Sequence, residues 1–72
     1  MESFYINSND QDNDGGEHEV HRYTCTHGAD PANQVALGLH RDGVEAVAEA
    51  KRRWPGVPIN GCYWCCPESH TG

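Results

Sequence analysis

Residues 62–70 read Cys62-Tyr63-Trp64-Cys65-Cys66-Pro67-Glu68-Ser69-His70, and this stretch decides how the fold is held together. It contains a C-x2-C pair, a third thiol directly after the pair, and an imidazole four residues beyond that thiol. Two thiolates separated by two residues can reach one tetrahedral metal ion from a single tight turn, and a disulfide staple can use the same spacing. The stretch therefore predicts a cross-linked segment, but it identifies no substrate.

The size of the chain makes such a cross-link valuable. The chain has 72 residues, of which 36% are hydrophobic, and this predicts a single small domain over residues 1–72. A domain of this size buries only about 60% of the surface that its unfolded chain exposes. A metal ion or a disulfide would supply stability that so small a core lacks.

The charge of the chain argues against two classes of partner. Eleven acidic and five basic residues give a formal net charge of −6, and five of the acids fall between Asp10 and Glu19. An acidic surface repels phosphate backbones and anionic lipids, so we expect neither nucleic-acid binding nor membrane attachment. The sequence shows no export signal and no long apolar run. We therefore expect a cytoplasmic protein, in a compartment where clustered Cys and His side chains more often bind metal than form disulfides.

The pattern of apolar residues predicts the α+β class. Aromatic and β-branched residues predict strands at 3–8, 18–25 and 34–39, and a last strand carrying the cysteines at 59–66. A helix is expected after Asp42, which forms a capping-box pattern with Glu45. The predicted fold is a three-stranded antiparallel sheet with one packed helix and a C-terminal Cys-rich strand. The stripe expected to face the sheet is Val44, Val47, Ala48, Lys51 and Trp54.

Zinc is the first interpretation of the Cys and His residues. Cys62 and Cys65 have the spacing of a metal knuckle, and His70 is near enough in sequence to fold back as a third ligand. Cys25, or alternatively His27, can bring a fourth ligand from the second strand. The predicted metal ligands are thus Cys62, Cys65, Cys25 and His70, with zinc as the expected ion.

Other interpretations of the four thiols stay open. Cys25 can form a disulfide with Cys62, Cys65 or Cys66, and one or two of the thiols can be ordinary small core residues. Thiol-redox chemistry is a further alternative. It is disfavoured because such pairs usually stand at a helix N-terminus, which lowers the pKa of the thiol, whereas here the pair follows a strand.

Two further patterns resemble metal motifs. His18 and His21 stand three apart in a predicted strand, so they point to opposite faces of the sheet, although one of them can still reach the cysteine cluster. Surface or hairpin positions are the expected places for both. Asp10, Asp12 and Asp14, followed by Gly15, match the start of a calcium loop, but His21 stands where the closing Glu belongs. A solvated acidic hairpin loop is therefore the expected structure.

Three segments together resemble a group of small bacterial proteins. These are the His18–His21 strand, the Leu37-Gly38 pair before the helix, and Gly61 to Cys66 followed by His70. No activity is established for the group, so the resemblance implies none. Members of the group carry cysteines where Gly43 and Ser69 stand here. The order of three strands and a helix also resembles the arm-type DNA-binding domains of integrases, but the acidic charge opposes that function.

The expected function is therefore that of a small accessory module that binds another protein, with zinc as its possible stabiliser. Enzyme activity is not expected, because no nucleophile, base and orienting group occur together in the sequence. An exposed Tyr63 or Trp64 with an acidic rim would suit a partner that carries basic residues. The alternatives are a thiol-redox or metal-handling protein that uses Cys62, Cys65 and Cys66, and a disulfide-stapled module.

Overall fold

One mixed sheet and one helix make up the computed structural model, which describes residues 1–9 and 17–71. The strands are β1 (Glu2–Asn7), β2 (His18–Arg22), β3 (Gln34–His40) and β4 (Ile59–Gly61), and the helix is α1 (Gly43–Arg53). Short 3-10 turns cover Pro31–Asn33 and Pro67–Ser69. The predicted acidic loop with the calcium-like pattern, residues 10–16, lies outside the described residues.

The sheet has the strand order β3-β1-β2-β4. The three strands β3, β1 and β2 are antiparallel to their neighbours, as predicted, but β4 adds a fourth strand that runs parallel to β2. Parallel neighbours need a crossover connection, and here the chain makes it through α1, which separates β3 from β4. The α+β class is confirmed, but the sheet is four-stranded and mixed, whereas the predicted sheet is three-stranded and antiparallel.

The prediction of a Cys-rich last strand is wrong in its length. β4 ends at Gly61, and all three C-terminal cysteines follow it. The Cys62 N–H still donates to Val20 O at 2.9 Å, but the Cys66 N–H then turns back onto Cys62 O, also at 2.9 Å. Pro67 has no N–H to offer a sheet ladder, so the extended backbone does not resume there. The thiols therefore lie in a tight turn.

The two faces of the sheet are covered in different ways. Phe4, Ile6 and Val20 are buried in the hydrophobic core beneath α1, with Leu37 and Ile59 from the two edge strands. Because side chains alternate along a strand, Tyr5 and its cross-strand partner His21 point to the opposite face. Both are buried there although no α-helix of the described segments lies on that face. That second face carries the candidate site.

Helix α1 begins as the sequence predicts. Asp42 is its N-cap, and the Asp42 side chain accepts the Glu45 N–H at 3.0 Å. The Glu45 carboxylate, however, accepts the N–H of Arg41 at 2.9 Å and binds its guanidinium, so the reciprocal half of the capping box is displaced by one residue. Lys51, Arg52 and Arg53 lie in the last turn, where positive charge suits the helix dipole.

The predicted buried stripe of α1 is wrong by about one residue. Val47 is buried as expected, but Val44 is 51% exposed, and Ala48 and Lys51 face solvent. The buried residues are Gly43, Ala46, Val47 and Ala50, and Trp54 is only partly buried. These residues also follow the i, i+3, i+4, i+7 spacing, and three of them are small. Small side chains let the helix backbone approach the sheet closely. We attribute the orientation of α1 to this close approach, which stabilises the fold more than burial of the larger apolar area of Val44 would.

Matched substitutions test the orientation of α1. Ala50→Leu should lower the free energy of unfolding by about 1–3 kcal/mol, because Ala50 is fully buried and the added methyl groups have no space. Ala48→Leu, on the exposed face two residues earlier, should change it by less than about 0.5 kcal/mol. Urea denaturation of both variants measures the difference. Equal losses would contradict this orientation, and a larger loss for Ala48→Leu would favour the orientation that the sequence alone predicts.

Arg22 and Glu68 fasten the C-terminal turn to the body of the fold. Arg22 lies over the Phe4 ring, 5.1 Å from its centroid, and its guanidinium donates to Cys65 O and to the carboxylates of Glu2 and Glu68. The Glu68 carboxylate also accepts the N–H of Gly43, at the start of α1, at 2.7 Å. Partial burial raises the pKa of Glu68, but hydrogen bonds from backbone N–H groups and from Arg22 outweigh burial and lower it overall.

This lowered pKa predicts a contribution to acid unfolding. A carboxyl group whose pKa is lower in the folded state stabilises the protein above its unfolded pKa of about 4.5, and this stabilisation is lost as the pH falls through the folded pKa. Glu68→Gln should therefore lower the melting temperature at pH 7, by an amount equivalent to about 1 kcal/mol or less. The difference from the parent protein should shrink as the pH falls below about 4.5 and through the lowered pKa of Glu68. A difference that stayed constant from pH 7 to pH 3 would contradict the linkage.

Membrane-spanning helices were also sought. Over residues 1–9 and 17–71, the structure has no helix with the length and apolar character that a membrane span requires.

Candidate metal centre

Four side chains meet on the sheet face opposite α1. His21 comes from β2, Cys25 from the turn after β2, and Cys62 and Cys65 from the turn after β4. One ligand atom from each residue, an imidazole nitrogen or a sulfur, lies within 4.8 Å of all the others. His21 and Cys62 are buried, and Cys25 and Cys65 are partly buried. We call these four residues the Cys3His cluster.

The distances within the Cys3His cluster fit a tetrahedral metal site better than a disulfide. The sulfurs of Cys25 and Cys62 are 4.0 Å apart, and the sulfur of Cys65 is 3.9 Å from Nδ1 of His21. Zn–S bonds of about 2.3 Å in a tetrahedron place the sulfurs about 3.8 Å apart, whereas a disulfide requires about 2.05 Å. All four cysteines of the chain lie in the described residues, and all are free.

Backbone N–H groups point at each sulfur of the cluster. The N–H of Trp64 donates to Cys62 Sγ at 3.4 Å, that of His27 to Cys25 Sγ at 3.4 Å, and that of Arg22 to Cys65 Sγ at 3.2 Å. Such contacts stabilise thiolates and fix the direction in which each sulfur presents its lone pairs. Two of the donors stand two residues after the cysteine that they contact, so each of these turns organises its own sulfur.

His21 is in the form and orientation that a metal ligand needs. It is 2% exposed, and burial lowers the pKa of its imidazole, which is therefore neutral near pH 7. Nδ1 faces Cys65 while Nε2 lies 3.7 Å from a carboxylate oxygen of Glu19. The Tyr5 ring stacks on the imidazole with the ring centroids 5.2 Å apart. A carboxylate behind the second nitrogen is a common arrangement at metal-binding histidines, because it fixes the tautomer.

The protonation of the thiols counts against redox chemistry. Burial raises the pKa of Cys62, of Cys65 and of Cys66 above the ordinary value for a thiol. A reactive or catalytic thiol needs a lowered pKa, because the thiolate is the nucleophile. The environment therefore favours inert thiols unless a cation is present to hold them as thiolates.

Two residues singled out in the sequence lie outside the cluster. Nδ1 of His70, the predicted third ligand, contacts the carbonyl oxygen of Gly61 at 3.0 Å. Cys66 is fully buried within the hydrophobic core, with its sulfur 3.8 Å from that of Cys65. The structure thus brings together three of the four predicted ligands, Cys25, Cys62 and Cys65, and His21 stands where His70 was expected.

The position of His21 had a signal in the sequence. In the strand predicted at 18–25, His21 and Cys25 share one face and His18 points to the other. In the structure, Nδ1 of His18 contacts Asn7 O at 2.9 Å. His70 was preferred because it is close to Cys65 in sequence. The 3-10 turn over Pro67–Ser69 prevents that approach by directing the chain back towards β4, where the Thr71 N–H donates to the side chain of Asn60.

Tyr5 holds the loop that carries Cys25. Its hydroxyl accepts the N–H of Ala29 at 2.8 Å, and the side chain of Gln34 donates to Ala29 O at 3.0 Å. A Cβ atom on Gly28 would overlap the Tyr5 hydroxyl, so only glycine fits at this position while the loop keeps its place.

A double-mutant cycle tests this contact. Gly28→Ala should lower the melting temperature and weaken metal uptake, because the loop with Cys25 must move away from Tyr5. Tyr5→Phe removes the hydroxyl with which the new methyl group collides. The double variant should therefore lose at least about 1 kcal/mol less than the sum of the two single losses. Strict additivity in thermal or urea unfolding would show that the close approach does not constrain the loop.

No protein-family model, no curated protein and no solved structure matches the chain.

The resemblance to small bacterial proteins stays a prediction, which neither the structure nor the comparisons test. Gly43 and Ser69, the positions where members of that group carry cysteines, are neighbours in space: a Cβ on Gly43 would lie 2.8 Å from Ser69 Oγ. A cysteine pair at these positions would join the start of α1 to the second 3-10 turn. It would not involve the four residues of the Cys3His cluster.

Proposed function

We propose that this protein is a small, non-catalytic module in which zinc, bound by the Cys3His cluster, fixes a surface that binds another protein. The observation that carries the metal part is the convergence of His21, Cys25, Cys62 and Cys65 to within 4.8 Å on the sheet face opposite α1. Residues 24–30, which cover this face, contain one aliphatic side chain, Ala29. Hydrophobic burial alone therefore contributes little to holding this loop against the sheet.

Zinc is the ion that this set of donors suits best. Three thiolates and one imidazole in a tetrahedron are typical of structural zinc sites, whereas Ca²⁺ and Mg²⁺ prefer oxygen donors. Four ligands from the protein also leave no open position for a water molecule, which catalytic zinc sites keep. A cytoplasmic location is consistent with this proposal, because a reducing compartment keeps thiols available for metal.

The surface grooves do not favour an enzyme. One groove of about 220 Å³ lies between Ile6, Trp54 and Val57, and another of about 350 Å³ lies beside Val44 and Lys51. Neither is lined by a residue of the Cys3His cluster. Small-molecule sites usually combine an enclosed volume of about 300–1,000 Å³ with a few converging polar groups.

Protein binding is the role that the exposed aromatic residues support. Tyr63 and Trp64, which stand between the two cysteines of the C-x2-C pair, are 61% and 63% exposed. Aromatic side chains of this size are enriched at the centres of protein interfaces. The turn that binds the metal would thus also present the interface.

Native mass spectrometry and metal removal test the zinc site. Zinc should add about 63 Da net to the mass of the chain, whereas each disulfide would remove about 2 Da. A chelator at neutral pH should lower the melting temperature, because the binding energy of the metal contributes to folding. A reductant without chelator should leave the melting temperature unchanged. If the metal-free, fully reduced protein had the same melting temperature as the untreated protein, both the zinc and the disulfide interpretation would fail.

Substitution of the histidines identifies the fourth ligand. Cobalt in place of zinc reports its ligands through visible absorption, and His21→Ala should shift this spectrum and weaken metal binding about tenfold or more. His70→Ala is the matched control and should leave the cobalt spectrum unchanged. A spectrum that responded to His70→Ala and not to His21→Ala would restore the ligand set predicted from the sequence.

A further inference from the structure

The two edges of the sheet are covered to different extents. In the described part of the chain, β3 and β4 are the edge strands. β4 is short, and the C-terminal residues lie along it: Nδ1 of His70 contacts Gly61 O at 3.0 Å, and the Thr71 N–H donates to the Asn60 side chain at 2.9 Å. β3 has seven residues, and no described strand pairs with its outer side. β3 is therefore the edge that is open to another chain.

β3 lacks the side chains that usually protect an exposed edge. Natural edge strands commonly carry charged residues or proline, which oppose pairing with another strand. Residues 34–39 contain neither. Three of them are apolar and exposed: Val35, Ala36 and Leu39, with Leu39 at 61%. Uncharged strands of this kind, rich in apolar residues, are those that pair with copies of themselves.

A bulge gives β3 partial protection. Phe4 of β1 pairs with Gly38 and Tyr5 pairs with Ala36, so Leu37 has no partner on β1. Gly38 has a φ of 88°, a conformation that residues other than glycine rarely adopt. A bulge of this kind increases the local twist and discourages pairing at an edge. The carbonyl oxygens at the bulge, however, still need donors.

Arg53 covers the edge at the bulge. Its Nη1 donates to Ala36 O at 3.0 Å and its Nη2 to Leu37 O at 3.4 Å, and its Nε is held by the Glu49 carboxylate at 2.6 Å. A ring nitrogen of His40 also contacts Leu37 O, at 2.8 Å, whereas Arg53 provides the one side-chain donor to Ala36 O among the described residues. A strand that added to β3 would compete with the guanidinium for these oxygens. The charge that β3 lacks is thus supplied from α1.

We infer that the β3 edge is an interaction surface for a second copy of this chain, and that Arg53 holds this surface closed. Two copies pair β3 with β3 in antiparallel directions about a twofold axis, so each contributes the same residues. An uncharged, apolar edge matches a copy of itself, whereas a charged partner strand finds no counter-charge in residues 34–39. This interaction does not depend on the proposed function, because neither β3 nor Arg53 belongs to the Cys3His cluster.

Two arginine substitutions in the last turn of α1 test the inference on the full chain, purified without a chelator. Arg53→Ala removes the guanidinium from β3. Arg52→Ala is the matched control, because Arg52 binds the same Glu49 carboxylate and, among the described residues, hydrogen-bonds to no residue of β3. Sedimentation equilibrium in about 150 mM salt with a non-chelating reductant should show a dimer for Arg53→Ala. Its Kd should be at least about tenfold lower than that of Arg52→Ala or of the parent protein.

Hydrogen exchange and two further variants locate the contact. In the Arg53→Ala dimer the backbone amides of β3 should exchange more slowly than in the monomer, because pairing shields them from water. Adding Leu39→Lys to Arg53→Ala should restore the monomer, since it puts a positive charge on the edge of both copies. Arg53→Lys keeps the charge but lacks the planar fork that reaches two carbonyl oxygens at once, so it should associate more than Arg52→Lys.

The opposite results would overturn the inference. A monomeric Arg53→Ala, equal association of Arg53→Ala and Arg52→Ala, or a parent protein that already pairs through β3 would show that Arg53 does not close the edge. Slower exchange confined to residues outside β3 would place the contact elsewhere. If Arg53→Ala did not fold, the comparison of Arg53→Lys with Arg52→Lys would decide, and equal association of that pair would overturn the inference as well.

Discussion

The structure depends on a sheet that must be covered on both faces, although the described residues, 1–9 and 17–71, form a single α-helix. The α1 side is closed by ordinary hydrophobic packing of Phe4, Ile6, Val20 and their neighbours. The other side has Tyr5 and His21 buried beneath a loop that is almost without aliphatic side chains. A cluster of thiols and an imidazole stands where a second hydrophobic layer would otherwise be needed. In the proposed metal form, coordination replaces packing on this face.

The different coverage of the two sheet faces explains why the aromatic residues Tyr63 and Trp64 can be exposed. In a larger domain Tyr63 and Trp64 would be natural core residues, and each would bury a large apolar area. Here the turn that carries them is fixed through its sulfurs and its backbone, so the rings are not required for stability and can face a partner. In the proposed function, the binding surface and the metal site share one short segment, so binding of a partner at Trp64 would depend on whether the cluster is intact.

Much of the architecture was predictable from local patterns. Asp42 marked the start of α1, alternation along the strand predicted at 18–25 placed His21 and Cys25 on one face, and the C-x2-C spacing indicated the turn. The predictions that failed depended on contacts between residues that are far apart in the sequence. The helix turned its small residues inward because backbone proximity to the sheet outweighed the area of Val44, and no local pattern expresses that balance. His70 was favoured by its nearness in sequence, whereas His21 is brought to Cys65 by the pairing of β2 with β4.

The parallel pairing of β4 with β2 has a consequence for how the proposed metal site would form during synthesis. Cys25 and Cys62 stand 37 residues apart, and the helical crossover must be complete before their sulfurs meet. A ribosome that has released residues 1–61 alone presents His21 and Cys25 without the other two side chains of the cluster. The full set of donors therefore exists only after β4 has paired with β2, so a metal ion bound by all four would report that this pairing has formed.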